Sequence, residues 1–480
     1  NFADYVLSKA NFFSSFTIDS PFDEAKYKAL LKGLEVSEVK FSKLKIENGE
    51  WRIDSEYFKK EYLNEDSDLA KHKTVLLGNY AFVTDGQHGY YEIDPSSKIH
   101  MLAARNCKDY FANTTDSIPL AKWVDDKNKR SSLAHGDIIL STRGSVGCCA
   151  IVYDEVLPAN INQDVARIKL NNSDDFRPEF LIAYMNCKFG QNWMFRNQTG
   201  MVQQGLPLDK VRSIPVPMLS PAFQSQIEQI VKSAHSKLAE SKSLYAQAEE
   251  ILLSELGLKD WQPKNLSVVE PVETTANGHF DKLNDRVCYS VKSFSDFAKS
   301  GRLDAEYYQP KYDEIEEKIK SYKGGSDFIS KVVELRNRNF NPQGKSLYKY
   351  IELADIGASG EVTGCTEDLG GNLPSRARRI VHTGDVLISS IEGSLQSCAI
   401  VGKEYNDALC STGFYVVSPK LLNAESLLIV LKSSVMQSLL KKGCSGTILT
   451  AIPKEEFLNL PIPLLPELTQ SLIAEKIQKS

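Results

Sequence analysis

The chain has 480 residues, of which 42% are hydrophobic and 25% charged, an ordinary globular composition for about two to four domains that each bury a core. Its net charge of −5 argues against an overall basic nucleic-acid binder but leaves room for a local basic face. No apolar run approaches the ~18 residues of a membrane span and no signal peptide is evident, so no membrane partner is expected and a cytoplasmic location is predicted.

Residues 1–35 form an N-terminal extension that fits neither domain below. The first domain covers 36–217. Within it "KIHMLAARNC" (Lys98 to Cys107), "DIILST" from Asp137 and "CCAIVY" from Cys148 read as short aliphatic strands, and "FRPEFLIAYMNC" from Phe176 has helical spacing. Residues 218–258 hold a central helix, free of Pro and Gly from Phe223 to Leu256. Val231, Ala234, Leu238, Ser241, Tyr245, Ala248 and Leu252 alternate steps of three and four, a heptad seam that slips at Leu256. At 1.5 Å per residue this helix is roughly 50 Å long. Val231, Leu238, Tyr245, Leu252 and Leu256 are its expected partner-docking residues, the alternative being a surface helix packed on one domain. Residues 259–284 read as a polar, Pro-containing linker. The second domain covers 285–463, with strands "YKYIELADI" (Tyr348 to Ile356), "DVLISS" and "CAIVGK", and a helix capped by Asn423 over "NAESLLIVLKSSVMQSLLKK". Residues 464–480 begin a second helix of the central type. The sequence opens on Asn1 and stops at Ser480, so the ends are expected to be cut from a longer polypeptide, or a partner supplies the missing helix.

The two domains are copies. Arg52, Asp54, Glu56 and Tyr57 return as Arg302, Asp304, Glu306 and Tyr307. "GDIILSTRGSVGCCAIV" from Gly136 returns as "GDVLISSIEGSLQSCAIV" from Gly384, one residue longer in its loop. "TGMVQQGLPL" from Thr199 matches "SGTILTAIPK" from Ser445, and "IPVP" at Ile214 matches "LPIP" at Leu460. A Gln and then an Ile follow each: Gln224 with Ile227, Gln470 with Ile473. This period far exceeds the ~20 to 50 residues of a solenoid, so two whole domains are duplicated. The fold class is α+β: two tandem mixed domains separated by long coiled-coil-forming helices, with a pseudo-two-fold repeat.

Catalytic signatures are absent. Nine scattered cysteines without a CxxC pair support neither a zinc site nor a disulfide framework. Cys148 or Cys149 near His135 could suggest a nucleophile, but an apolar strand raises a thiol's pKa and leaves it inert. The Gly-Asp pairs fit turn chemistry, Gly supplying backbone freedom and Asp a cap. Arg52 and Arg302, each near carboxylates, fit structural ion pairs. "NFNPQG" lacks the second Pro and the aromatic of an amino-methyltransferase loop. No glycine-rich cofactor loop, P-loop or carboxylate-plus-lysine nuclease pattern occurs, so no catalytic residue, metal or cofactor is expected on this chain.

The order of parts resembles the type I restriction–modification specificity subunits, or the equivalent region of a fused type II restriction–methylation enzyme. "VTDGQHGYY" from Val83 is similar to that family's Asp-Gly-x-His loop, and "GDIILSTRGSVG" to its Gly-Asp-Ile-Leu strand and turn. "INQDVARIKL" from Ile161 and "CSTGFYVVSP" from Cys410 resemble the strand that follows. The second copy departs, showing "LRNRNFNPQG" from Leu335 in place of the Asp-Gly-x-His loop. The resemblance implies two target recognition domains, each reading half of a split site on double-stranded DNA. It also implies two methyltransferase subunits docked on the helices, restriction/translocase subunits, and S-adenosylmethionine, ATP and Mg on those partners rather than on this chain. Loop residues with base- or phosphate-reading side chains are the expected DNA contacts: Gln87, His88, Arg105, Arg143, Gln203 and Gln204 in the first domain, Arg336, Arg338, Asn339, Arg376, Arg378 and Arg379 in the second. Residues 1–35 could instead be the tail of a fused methyltransferase. A further reading, favoured by net acidity, is a coiled-coil protein-interaction scaffold with no DNA role.

Overall fold

The computed structural model of the chain describes residues 24–30, 32–33, 37, 39, 55–108, 110–172, 174–200, 204–259, 261, 292–446 and 450–480. It divides into two compact units, Asn1–His235 and Ser236–Ser480. Most of the 1–35 extension and of the 259–284 linker lies outside the described residues, as do Arg52, Asp54 and Gln203.

The first unit contains β1 (Thr74–Leu76), β2 (Ala81–Asp85), β3 (His100–Leu102), β4 (Ile118–Pro119), β5 (Ile138–Ser141), β6 (Cys149–Ile151), β7 (Ala159–Ile161), β8 (Val165–Leu170) and β9 (Pro215–Pro217). Its main sheet runs β2-β8-β5-β6, all antiparallel. A smaller sheet runs β4-β3-β7, with β3 and β7 parallel, and β1 pairs with β9. The second unit contains β10 (Ser326–Phe328), β11 (Val333–Leu335), β12 (Leu347–Ile351), β13 (Thr366–Leu369), β14 (Ala377–Ile380), β15 (Val386–Ser389), β16 (Cys398–Ile400), β17 (Leu409–Ser411), β18 (Phe414–Pro419) and β19 (Pro461–Pro463). Its sheets run β11-β18-β15-β16, β13-β12-β17-β14 and β10-β19. The duplication holds strand for strand, parallel pairing included, with β14 added in the second copy.

Strands β5 and β15 open on three aliphatic residues because both of their faces are covered. Successive side chains of a strand point to opposite faces. Ile138 and Leu140 of β5 enter the core beneath the helix Pro178–Asn186, while Ile139 enters the core shared with the smaller sheet. In the second copy Val386 and Ile388 take one side and Leu387 the other. The Gly-Asp pairs behave as turns: Gly136 and Gly384 have φ of 82° and 84°. Asp137 then accepts from the Ala134 N–H at 2.8 Å, and Asp385 from the His382 N–H at 2.9 Å.

Three expectations need correction. "NAESLLIVLKSSVMQSLLKK" is two helices, Ala424–Lys432 and Ser434–Gly443, because Ser433 leaves helical geometry and caps the second by accepting from Met436 N–H at 3.3 Å. Asn423 caps the first, accepting from Ser426 N–H at 2.8 Å. The tyrosine-rich "YKYIELADI" and "KIHMLAARNC" are strands only in their first halves, then pass into short 3-10 turns, Leu353–Asp355 and Ala104–Cys107. The long helix, Pro221–Glu255, is continuous, but its seam is used internally. Val231 is buried in the first unit's core, and Leu252 lies in the second unit's core with Tyr245 and Leu256 packed against it. Val231 and Leu252 are therefore unavailable as a partner-docking face; Tyr245 and Leu256 are half-buried and Leu238 is exposed. The C-terminal helix Glu467–Lys479 likewise packs on the second unit through Ile473.

The paired Gln-Ile signatures also gain a cause. Gln224 Oε1 accepts from Arg177 N–H at 3.0 Å, and Gln470 Oε1 from Asn423 N–H at 2.7 Å. Each glutamine ties the helix it sits on to the start of a core helix in its own unit, and the following Ile packs into that core. No helix among the described residues is long and apolar enough to cross a membrane.

Candidate nucleic-acid interface

In the first unit, register brings several loops to one end of the main sheet. Asp85 lies opposite Ala166, and Ser141 opposite Val165, so β2 and β5 finish where β8 starts. Beyond that end Gln87 bridges Asn162, the Thr142 N–H reaches Asp164 O at 2.8 Å, and Arg143 bridges Gly205. The end of β3 arrives there too, with Asn162 N–H on Leu102 O at 3.1 Å. Gly86 permits this convergence, since a Cβ there would sit 1.8 Å from Ile161 O. The second unit repeats the cluster. Leu335 lies opposite Val417 and Ser389 opposite Phe414; Ile391 bridges Ala451, and Thr412 N–H reaches Arg376 O at 2.9 Å.

The expected contacts divide by what their side chains touch. Gln87 donates its amide to His88 O and Tyr90 O and shapes its own loop. His88 is exposed, with Nε2 2.7 Å from Asp85 Oδ2. Arg105 and Gln204 are exposed at the same end. Arg143 stands 3.5 Å from Asp164, both half-exposed, a weakly held pair. In the second unit Arg338 and Asn339 are exposed and, with Phe340 and His382, line a cleft of about 650 Å³. Arg376 donates to Tyr350 Oη and Glu352 Oε1 at 3.2 and 3.1 Å but stays mostly exposed. Arg378 is half-buried, donating to Ser375 O at 2.8 Å and to Asn341 Oδ1.

One arginine leaves the candidate set. Arg379 turns inward: it donates to Phe414 O, lies over the Tyr415 ring, and its Nε has no partner among the described residues. Burial holds its pKa below the usual guanidinium range. Arg336 pairs at 3.3 Å with the buried Asp385, yet its side chain is half-exposed and lines the same cleft as Arg338. In the first copy the equivalent Asp137 is served by Arg167 at 2.7 Å, both buried. Burial raises both carboxyls above the ordinary range, and the neighbouring arginine opposes the rise. Arg302 makes a two-point pair with Asp304 at 2.7 and 3.0 Å and also holds Lys442 O and Cys444 O, which places it in the framework. Cys149 is buried and its thiol is pushed well up, while His135 faces Asp154 at 3.0 Å, so no thiolate–imidazole pair forms. Among the described residues no group of three or more His, Cys, Asp or Glu could hold a metal.

Sequence reasoning missed Arg130 and Asp85. Arg130 Nη2 lies 3.2 Å from Asp85 Oδ1 at this same end. The signal was in the repeat. Leu133 and Val381 make equivalent bonds, to Ala159 O and Ala408 O, and three residues back stand Arg130 and Arg378.

No family model matches the chain. The specificity subunit of the EcoBI type I restriction enzyme from Escherichia coli is 26% identical over 136 residues, 28% of this chain and 27% of that protein. The chain resembles type I restriction specificity subunits. It aligns with little more than a quarter of the length of that relative. The S subunit of a type I restriction–modification system from M. genitalium is 10% identical, with a TM-score of 0.36 over 85% of this chain and 88% of that one. The HsdS subunit from Thermoanaerobacter tengcongensis is 14% identical, with a TM-score of 0.26 over 85% and 88%. A structure of type I restriction–modification complex assembly contains a chain 16% identical, with a TM-score of 0.27 over 85% and 89%.

Proposed function

We propose that the chain is the DNA-reading component of a restriction–modification complex, each unit reading one half of a bipartite duplex target. The observation that carries this is the repeated loop cluster, which gathers Arg, Gln and His side chains at the sheet end in the first copy and Arg and Asn side chains at the matching end in the second. Those side chains match base edges in the major groove: Arg suits guanine O6 and N7, and Asn or Gln suits adenine N6 and N7. The curated match to a type I specificity subunit supports the same reading. On this proposal the chain is non-catalytic. Methylation would belong to two modification subunits carrying S-adenosylmethionine, and cleavage to restriction/translocase subunits using ATP and Mg. A target adenine would have to leave the helical stack to enter a modification subunit's active site, so the reading units would fix which adenine is presented.

The test is an exchange of residues 60–210 for the corresponding segment of a relative with a different target, followed by sequencing of methylated positions in the host genome. One half of the methylated motif should change and the other stay. A motif in which neither half changes, or both do, overturns the proposal.

A further inference from the structure

We infer that Arg130 reads a guanine in the first unit's half-site, with Asp85 as its positioning residue. This rests on the DNA-reading proposal above. The backbone at Arg130 is pinned at the sheet end, its carbonyl accepting from Arg167 Nη1 at 3.0 Å. The second-copy equivalent, Arg378, is pinned the same way, its carbonyl accepting from Phe340 N–H at 2.6 Å. The two arginines therefore leave the chain at matching places.

Their surroundings differ in one respect. Asp85 is the last residue of β2, and its carboxylate takes one partner on each oxygen: Arg130 Nη2 at 3.2 Å on Oδ1, and His88 Nε2 at 2.7 Å on Oδ2. Its side chain is 22% exposed, while those of Arg130 and His88 are 55% and 58% exposed. A carboxylate on one edge fixes the guanidinium plane, so less rotamer freedom is lost on binding. Nη1 and Nε of Arg130 have no partner among the described residues. Nη1 and the second Nη2 hydrogen therefore form a fork that suits two adjacent acceptors, and guanine offers O6 and N7. Asp85 also sets a negative charge beside Arg130, which weakens its attraction for a phosphate and favours a base edge. In the second copy the position of Asp85 is taken by Asn337, whose Oδ1 accepts from Val416 N–H at 3.2 Å. Arg378 is held by neutral acceptors, Ser375 O and Asn341 Oδ1, and keeps its full charge, which suits a phosphate.

The experiment selects a randomised duplex library with the full chain and its co-purifying subunits, comparing wild type with Arg130→Ala, Asp85→Asn and Arg378→Ala at several salt concentrations. Wild type should enrich guanine at a defined pair in the first unit's half-site. Arg130→Ala should lose that one preference by roughly 5- to 150-fold and leave the other half-site and the salt slope unchanged. Asp85→Asn should relax the same pair, a readout that a merely structural loop defect would not confine to one base. Arg378→Ala should weaken all sequences alike and flatten the salt slope. If Arg130→Ala does not fold, Arg130→Gln keeps a polar side chain without the fork and should lose the same guanine preference. Unchanged base preferences, loss at a pair other than G·C, or a uniform loss with a flatter salt slope for Arg130→Ala overturns the inference. If wild type enriches no sequence, the DNA-reading proposal itself falls.

Discussion

Asp137 and Asp385 hold the same place in the two copies but take their arginine from different strands. In the first copy it comes from β8, as Arg167; in the second it comes from the residue after β11, as Arg336. The positions are cross-strand neighbours: Thr84 faces Arg167, and Arg336 N–H bonds Val416 O. What the fold requires at this point is a cation beside a buried turn carboxylate, and either neighbouring strand can supply it. Removing that cation strands the carboxylate, which costs about 3 to 5 kcal/mol for a buried pair. Arg167→Met should show a loss of that order at neutral pH. Burial already raises the Asp137 carboxyl, and without Arg167 it rises further. A raised carboxyl binds its proton more tightly in the folded state, so stability grows as pH falls through the folded pKa toward the lower unfolded one. The deficit of Arg167→Met should therefore be full at pH 7 and shrink on acidification, as read by urea midpoints of the first unit's transition. A deficit that does not change with pH would show that Asp137 is not left as an unpaired buried carboxylate.

The helix-and-glutamine joint shows how elements are tied within a unit. Gln224 fills the gap between the start of the long helix and the helix Pro178–Asn186, accepting from Arg177 N–H and donating to Asp175 O at 3.3 Å and Leu219 O at 3.1 Å. Gln224→Ala would leave a backbone donor unpaired, at about 1–3 kcal/mol. Amide exchange should quicken in the first turns of both helices; exchange confined to one of them would refute the joint. This joint was visible in the sequence only as a recurring Gln-x-x-Ile. The strands were plain because short aliphatic runs between glycines have few other fates. The heptad seam misled because three-four spacing describes any buried helical stripe, and Val231 and Leu252 bury theirs in this chain's own cores. Arg376, Arg378 and Arg379 lie close together in the sequence, but the stretch enters β14, where alternation leaves Arg378 at the surface end and turns Arg379 inward. The place of Arg130 is set by the repeat, three residues before the Leu133 bond that Val381 repeats in the second copy, and not by its side-chain type.

At the scale of the whole chain, the long helix is one element with two kinds of anchorage. Its first turns are held by Gln224, Val231, the Arg177–Glu228 pair at 2.6 Å and the His235–Glu155 pair at 2.6 Å, all in the first unit. Its last turns are held by Ala248 and Leu252 in the second. Between these anchors, residues 236–240 are exposed and make no core contact. Among the described residues, neither unit's core includes any of residues 236–240. Seven residues inserted after Leu238 preserve the helical phase to within a few tens of degrees and add about 10 Å of helix. On the DNA-reading proposal this should lengthen the gap between half-sites by at most about 3 bp, taking ~3.4 Å per base step. Both half-sites should keep their sequences, because neither loop cluster is touched. Sequencing of methylated positions in cells carrying the insertion checks both statements at once. A motif with an unchanged gap would mean that the helix does not set the spacing, and a motif with an altered half-site would mean that the units do not read independently.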